Sequence, residues 1–249
     1  YKATSSITCA LFDRAKFFDK HGCLKKAIAE KNGTLVDNFV QTNRQATGDL
    51  LDPLLIKEAA KRLGIKNVES EVEYKIDHPE LPLQASLDGR CNVVNVKVEH
   101  NPDNGIYLVG HEELILNGDI PIECKCSSDF PSVDEPPKYL GVDQLHTSME
   151  ILNAEYGILI VLYQSTDLRI YVYKRDEAFK DELARVVLDF DRRIEEEDYY
   201  PPETPEHAAT IFSDGNDENV KILKADVVDI VDTIEALKAT IKIAKEKEK

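Results

Sequence analysis

The stretch Asp119-Ile-Pro-Ile-Glu-Cys-Lys-Cys126 decides how this chain is read. Apolar and charged residues alternate with period two, the pattern of a β-strand, in which successive side chains point to opposite faces. Glu123 and Lys125 therefore project together, while Ile120, Ile122, Cys124 and Cys126 project from the other face. Asp119 has the parity of Glu123 and belongs to the same charged face. Upstream, Ala85-Ser-Leu-Asp-Gly89 ends another strand with an aspartate at a turn, where the carboxylate of Asp88 can lean over the same sheet. Two carboxylates and a lysine together suit a hard divalent cation, which takes oxygen ligands and lowers the pKa of bound water.

Outward from this strand the chain reads as helices packed on a sheet. The first fifty residues carry apolar positions at Leu11, Phe17, Phe18, Leu24, Ile28, Leu35 and Phe39 with helical character, broken at His21-Gly22 and Asn32-Gly33. A helix is expected from Asp52-Pro53 to Gly64, with Asp52 as its cap and proline at the first helical position. Val72, Tyr74 and Ile76 then alternate with charged residues as a half-exposed strand. Further strands at 83–87, 93–98, 106–109 and 120–126 are separated by Asp88-Gly89, Asn104-Gly105 and Asn117-Gly118, turn dipeptides that predict a meandering sheet. After prolines at 131–137 come a helix over 139–153, strands over 156–163 and 168–173, and a charged helix over 176–197. The expected fold is α/β (α+β), a central mixed sheet flanked by helices. Residues 1–204 form its domain, with a helical part at 1–66 and a core at 67–204. Residues 205–249 form a linker and an amphipathic helix in which Val228, Ile230, Val231, Ile234, Leu237 and Ile241 recur at helical spacing. That helix either packs on the domain or makes an oligomer contact.

No apolar run approaches the ~20 residues of a membrane helix, and the longest, 158–163, has the length of a buried strand. Five scattered cysteines without Cys-x-x-Cys spacing signal neither a disulfide framework nor a zinc site and fit a reducing cytoplasm. The net charge of −16 is unexpected for a protein that would meet a polyanion. Its distribution is uneven. Residues 1–66 hold 12 Lys+Arg against 7 Asp+Glu, and the remainder hold 19 against 40. A nucleic acid would approach the N-terminal third, where Arg14, Lys16 and Arg44 are candidate contacts.

A Glu-x-Lys strand also describes an ordinary charged face, so the functional reading rests on a combination of motifs. Over residues 44–202 the chain resembles the YqaJ and phage lambda exonuclease branch of the PD-(D/E)XK nucleases. Gly48-Asp-Leu-Leu-Asp-Pro53 is similar to that branch's Gly-x-x-x-Glu-Pro helix segment, with Asp52 in place of the glutamate. Ser86-Leu-Asp-Gly89 resembles its Ser-x-Asp-Gly turn, and Glu123-Cys-Lys125 its Glu-x-Lys strand. Gln144-Leu-His-Thr-Ser-Met149 resembles its Gln-x-Gln-x-x-Met helix, with His146 in place of the second glutamine.

The resemblance implies a restriction-endonuclease-like core and a Mg²⁺- or Mn²⁺-dependent deoxyribonuclease with two ions. Asp88, Glu123 and the backbone carbonyl of Cys124 would ligate metal, with Asp52 as an outer carboxylate. Lys125 would be the catalytic lysine, and Gln144 would hold water or DNA beside it. His146 would alter DNA contact or metal choice. The substrate implied is the end of double-stranded DNA processed for recombination, in the host cytoplasm for a phage-encoded protein. A single-strand annealing or recombination protein is the implied partner, and a homo-oligomeric ring the implied assembly. Iron–sulfur relatives need three cysteines near the C-terminus, and none follows Cys126, so no such cluster is expected.

Asp88 and Glu123 are further apart in sequence than in the family's usual hairpin, and an inserted hairpin over 93–116 accounts for the excess. Asp119 competes with Asp88 for the metal, the Ser-x-Asp-Gly context favouring Asp88. Ile7-Thr-Cys-Ala10 lacks the serine of the family's N-terminal segment. The rival functions are a structure- or site-specific endonuclease on the same fold and a catalytically silent recombination adaptor, against which Asp88, Glu123 and Lys125 argue.

Overall fold

A computed structural model describes residues 1–36, 40–70, 72, 75–132, 135–211 and 237–238. Contacts divide the chain into Tyr1–Ile211 and Phe212–Lys249, and the fold described below lies in the first unit. Of the helix expected over 225–249, Leu237 and Lys238 are helical, and the rest lies outside the described residues. So do Phe39, Glu71, Glu73 and Tyr74.

In chain order the elements are β1 (Ala3–Thr4), α1 (Thr8–Leu11), α2 (Lys20–Lys31), α3 (Asn43–Leu63), β2 (Val68–Glu69), β3 (Lys75–Asp77), β4 (Leu83–Ser86), β5 (Gly89–Glu99), β6 (Ile106–Leu108), β7 (Glu113–Ser127), α4 (Asp143–Leu152), β8 (Tyr156–Tyr163), β9 (Asp167–Lys174), α5 (Glu177–Glu196) and α6 (Pro205–Ile211). They form the expected mixed sheet flanked by helices. A six-stranded sheet has the order β2-β5-β7-β8-β9-β6, and a small sheet the order β1-β4-β3.

Apolar periodicity sets the layers. Ile56, Ala59, Ala60 and Leu63 of α3 are buried against Ile120, Ile122, Cys124, Ile158 and Ile160 on one face of the large sheet. Leu145 and Met149 of α4 pack with Leu159, Val161, Tyr163 and Tyr171 on the other. A third cluster joins the small sheet to α2 and α5 through Leu24, Ile28, Leu83, Ala85, Leu183, Val187 and Phe190. Each such aliphatic or phenyl side chain, fully buried, contributes ~1.5–3 kcal/mol.

Three local expectations are corrected. The helix expected to start at Asp52-Pro53 starts nine residues earlier, at Asn43. Thr42 and Gln45 form a reciprocal capping box there, which outweighs the proline at position 53 as a start signal. Pro53 lies inside α3, so Asp52 is not an N-cap. Asn117-Gly118 is not a turn either, because β7 runs through it. Gly118 takes a φ of +81° opposite a register shift between Val93 and Val96, and the dipeptide serves a bulge. Finally, the strands do not meander. β6 leaves the β5–β7 hairpin for the far edge of the sheet and pairs parallel with β9.

The expected hairpin is present, with β5 and β7 antiparallel, and its geometry creates an opening. β5 begins at Gly89, opposite Ile122, whereas β7 continues to Ser127 paired with β8 alone. From Glu123 onward, one edge of β7 has no strand beside it.

Candidate active site

Asp88 fills the start of that opening. It occupies the two-residue step between β4 of the small sheet and β5 of the large one, and its Oδ2 accepts the backbone N–H of Cys124 at 2.8 Å. The N–H and C=O of one strand residue point to the same side, so the carbonyl of Cys124 faces the same opening.

Glu123 and Lys125 share the face predicted from strand parity, and Lys125 Nζ donates to Glu123 Oε1. Glu123 is 1% exposed. Burial, with the neighbouring Asp88 carboxylate, pushes its carboxyl up to about 8, and Lys125 opposes this only in part. For Lys125 burial acts to lower the pKa, but the Glu123 and Asp88 carboxylates outweigh it and hold the ammonium charged. Gly141, just before α4, makes room for this lysine. With φ +90°, its Cα is so close that a Cβ would meet Lys125 Cγ at 3.2 Å and Leu159 Cδ1 at 3.0 Å.

Asp52 reaches the group from α3. Burial and the Asp88 carboxylate push it up to about 6, against a hydrogen bond from Cys124 and the charge of Lys125. Freed from capping, it is, with Glu123, one of two carboxyl groups that the Asp88 carboxylate raises near Lys125. Cys124 is buried under α3.

The other candidates are placed as follows. Asp119 is in contact with Arg90 and Asn92, each at 2.8 Å, and not with Glu123. Gln144 is half-buried in the first turn of α4. Arg14 is engaged by Asp143 at 3.1 Å and Glu182 at 3.2 Å. Lys16 is exposed beside Asp129 and Tyr139. Arg44 is exposed on α3 and lines a cleft of about 500 Å³ with Thr47, Leu51, Ser127 and Gln164. His146 is not brought to the carboxylates. It is buried against Tyr173 and Phe179, both at 5.2 Å between ring centroids, and burial, then Lys138, lower its pKa to about 4.

Two contributors escaped sequence reading. Gly141 was visible only as a glycine in an apolar segment. Asp143, 1% exposed and bound to Arg14, was visible only as an acid at a helix start.

Among the described residues, no three His, Cys, Asp or Glu side chains stand as a ready ligand set. The donors nonetheless fit a hard cation. They are carboxylate oxygens and a strand-edge carbonyl, and Lys125 compensates only part of their charge.

No protein-family model matches the chain, and no curated protein does. Solved structures do match. An alkaline exonuclease from Laribacter hongkongensis, LHK-Exo, also solved in complex with dAMP, aligns at a TM-score of 0.54 and 18% identity over 79% of this chain and 89% of its own. A phage-related exonuclease from Haemophilus somnus 129PT aligns at 0.52 and 12% over 79% and 94%. The chain has the fold of these exonucleases, as its resemblance to the phage lambda exonuclease branch implied.

Proposed function

We propose that this chain is a metal-dependent deoxyribonuclease, an exonuclease acting on double-stranded DNA ends. The observation that carries the reading is the convergence of Asp88, Glu123, Lys125 and the Cys124 carbonyl at the open edge of β7, on the fold of two exonucleases. Asp88, Glu123 and the Cys124 carbonyl hold Mg²⁺ or Mn²⁺, up to two ions, with Asp52 as an outer carboxylate. Bound there, a divalent cation would lower the pKa of water and offset the charge of the scissile phosphate.

The chain's own groups do the rest. Glu123 would hold the cation in place of its bond to Lys125, and Lys125 Nζ would then be placed to donate to the attacked phosphate or to orient the water. Gly141 fixes the path of that side chain. Gln144 holds water or DNA from α4, and Lys16 and Arg44 contact the substrate from the basic third. Arg14 takes part through Asp143, whereas His146, buried among aromatic rings, is left out. A role in recombination beside a single-strand annealing protein, a ring assembly and a phage origin go with this reading. The phage origin draws on the likeness to a phage-related exonuclease, and the recombination role, the annealing partner and the ring rest on the sequence resemblance alone. Among the described residues no helix is long and apolar enough to cross a membrane.

The test is digestion of linear duplex DNA with Mg²⁺ or Mn²⁺. Digestion by the wild type and its loss in Glu123→Ala and Lys125→Ala are expected, and undiminished digestion by either variant overturns the assignment. Equal attack on covalently closed circles would favour an endonuclease.

A further inference from the structure

The last element of the first unit, α6, rests on α2 through the face of one histidine ring laid on another. His21 of α2 and His207 of α6 are stacked, with ring centroids 3.9 Å apart and planes inclined by 24°. Tyr200 meets His21 edge-on at 5.7 Å. His21 is 1% exposed, and neither of its ring nitrogens has a hydrogen-bond partner among the described residues. An imidazolium needs acceptors for two N–H groups, so this position holds the neutral ring. His207 is tied to the neutral form in another way. Its Nδ1 accepts the Glu203 N–H at 3.4 Å, using a lone pair that protonation would remove.

The charged groups around the stack come from three elements. Asp19 caps α2 through the Gly22 N–H at 2.7 Å and faces His207 Nε2 with its other oxygen at 4.0 Å. Lys20 is paired with Asp13 at 2.7 Å and stands 5.3 Å from the Tyr200 centroid. Arg193 of α5 stands 4.3 Å from the same centroid, bound to Asp189 and Asp198. Burial first, then His207 and Lys20, lower the pKa of His21, with Asp19 and Glu203 opposing. None of the seven residues of α6 is buried, so its docking is slight and open to bias by a single proton.

We propose that the His21–His207 stack is an acid-released latch: α6 stays on α2 while both rings are neutral and leaves it when either takes a proton. Undocked, His21 meets water on both nitrogens and titrates near the ordinary 6.5, whereas docked it titrates lower. Docking is therefore strongest above pH 6.5 and weakens as pH falls, by up to ~10-fold per pH unit. The chain passes from α6 at Ile211 into the second unit at Phe212. The latch decides whether that crossing starts from a held segment or a loose one, and it does not draw on the nuclease reading.

The test is amide hydrogen exchange of residues 205–211 in the full chain at pH 7.5 and pH 5.5, with intrinsic exchange rates divided out. Protection in the wild type should fall ~10-fold at the lower pH. The variant carrying both His21→Phe and His207→Phe keeps two stacked rings and has no proton to bind. Its protection should agree within about twofold at the two pH values. A wild type protected equally at both, or a double variant that loses as much as the wild type, overturns the latch. Should the double variant not fold, the Cε1 proton resonance of His21 in the wild type decides. A midpoint below 6.5 that coincides with the loss of protection supports the latch, and any other result overturns it.

Discussion

Two carboxylates on the same face of β7, two periods of the pleat apart, have opposite surroundings. Asp119 is bonded on both oxygens, by Asn92 and Arg90, and its side chain is 38% exposed. Those two partners hold its carboxyl below the usual carboxylate range. Glu123, four residues on, is sealed from water next to a second carboxylate, and its pKa rises. The difference comes from the strand alongside. β5 places Asn92 opposite Asp119 and Arg90 one pair further along, opposite Pro121, but it begins only at Gly89, so that Asp88 is what meets β7 beyond Ile122. A carboxylate already satisfied by donors is structural. One buried beside like charge either takes up a proton or stays charged beside a further cation, and such groups gather at functional sites.

The largest test of this contrast is activity. Glu123→Gln should lower nuclease turnover on the order of 10³-fold, since a group that positions metal is worth several kcal/mol in the transition state. Asp119→Asn should stay within about twofold of wild type. Equal losses in the two variants would break the comparison. Next in size is Asp52→Asn, expected to weaken Mn²⁺ affinity by ~10–100-fold in titration calorimetry, as outer partners of a metal site do. Unchanged affinity would return Asp52 to a packing role on α3.

A third prediction concerns stability and pH. His146 is neutral in the fold because burial, and then Lys138, depress its pKa from 6.5 to about 4, with Asp176 and Glu135 opposing. The unfolded chain binds this proton more readily, so the contribution is complete above pH 6.5 and is lost as pH falls towards 4. Between pH 7 and pH 5 the loss should be about 2 kcal/mol. Urea titrations at the two pH values should show it in the wild type and largely lose it in His146→Leu. The smallest effect is that of Asp119→Ala on stability, no more than ~1 kcal/mol because the ion pair is partly exposed. A larger drop in the urea midpoint would mean that this end of β7 carries more of the fold than its exposure suggests.

Much of this was legible in the chain. β8, β9 and α5 were bounded to within a residue or two, because long apolar or amphipathic periods between turn signals leave little choice. The start of α3 was missed because proline is a strong local signal, whereas the Thr42–Gln45 box is a subtle one. The bulge at Asn117-Gly118 was missed because the dipeptide suits a hairpin turn and a positive-φ strand irregularity equally well. Glu123 and Lys125 were found because strand parity is strictly local.

By itself, then, the sequence determined the charged face of β7, with Asp119, Glu123 and Lys125 together on it, and the mixed sheet between helices. A two-residue period is a property of the backbone and needs no partner. Which of those carboxylates is buried beside like charge was decided only by tertiary structure, because charge state depends on neighbours brought from elsewhere. The start of β5 only at Gly89, the step at Asp88, the reach of Asp52 from α3 and the closeness of Gly141 each depend on where a distant segment of the chain comes to rest.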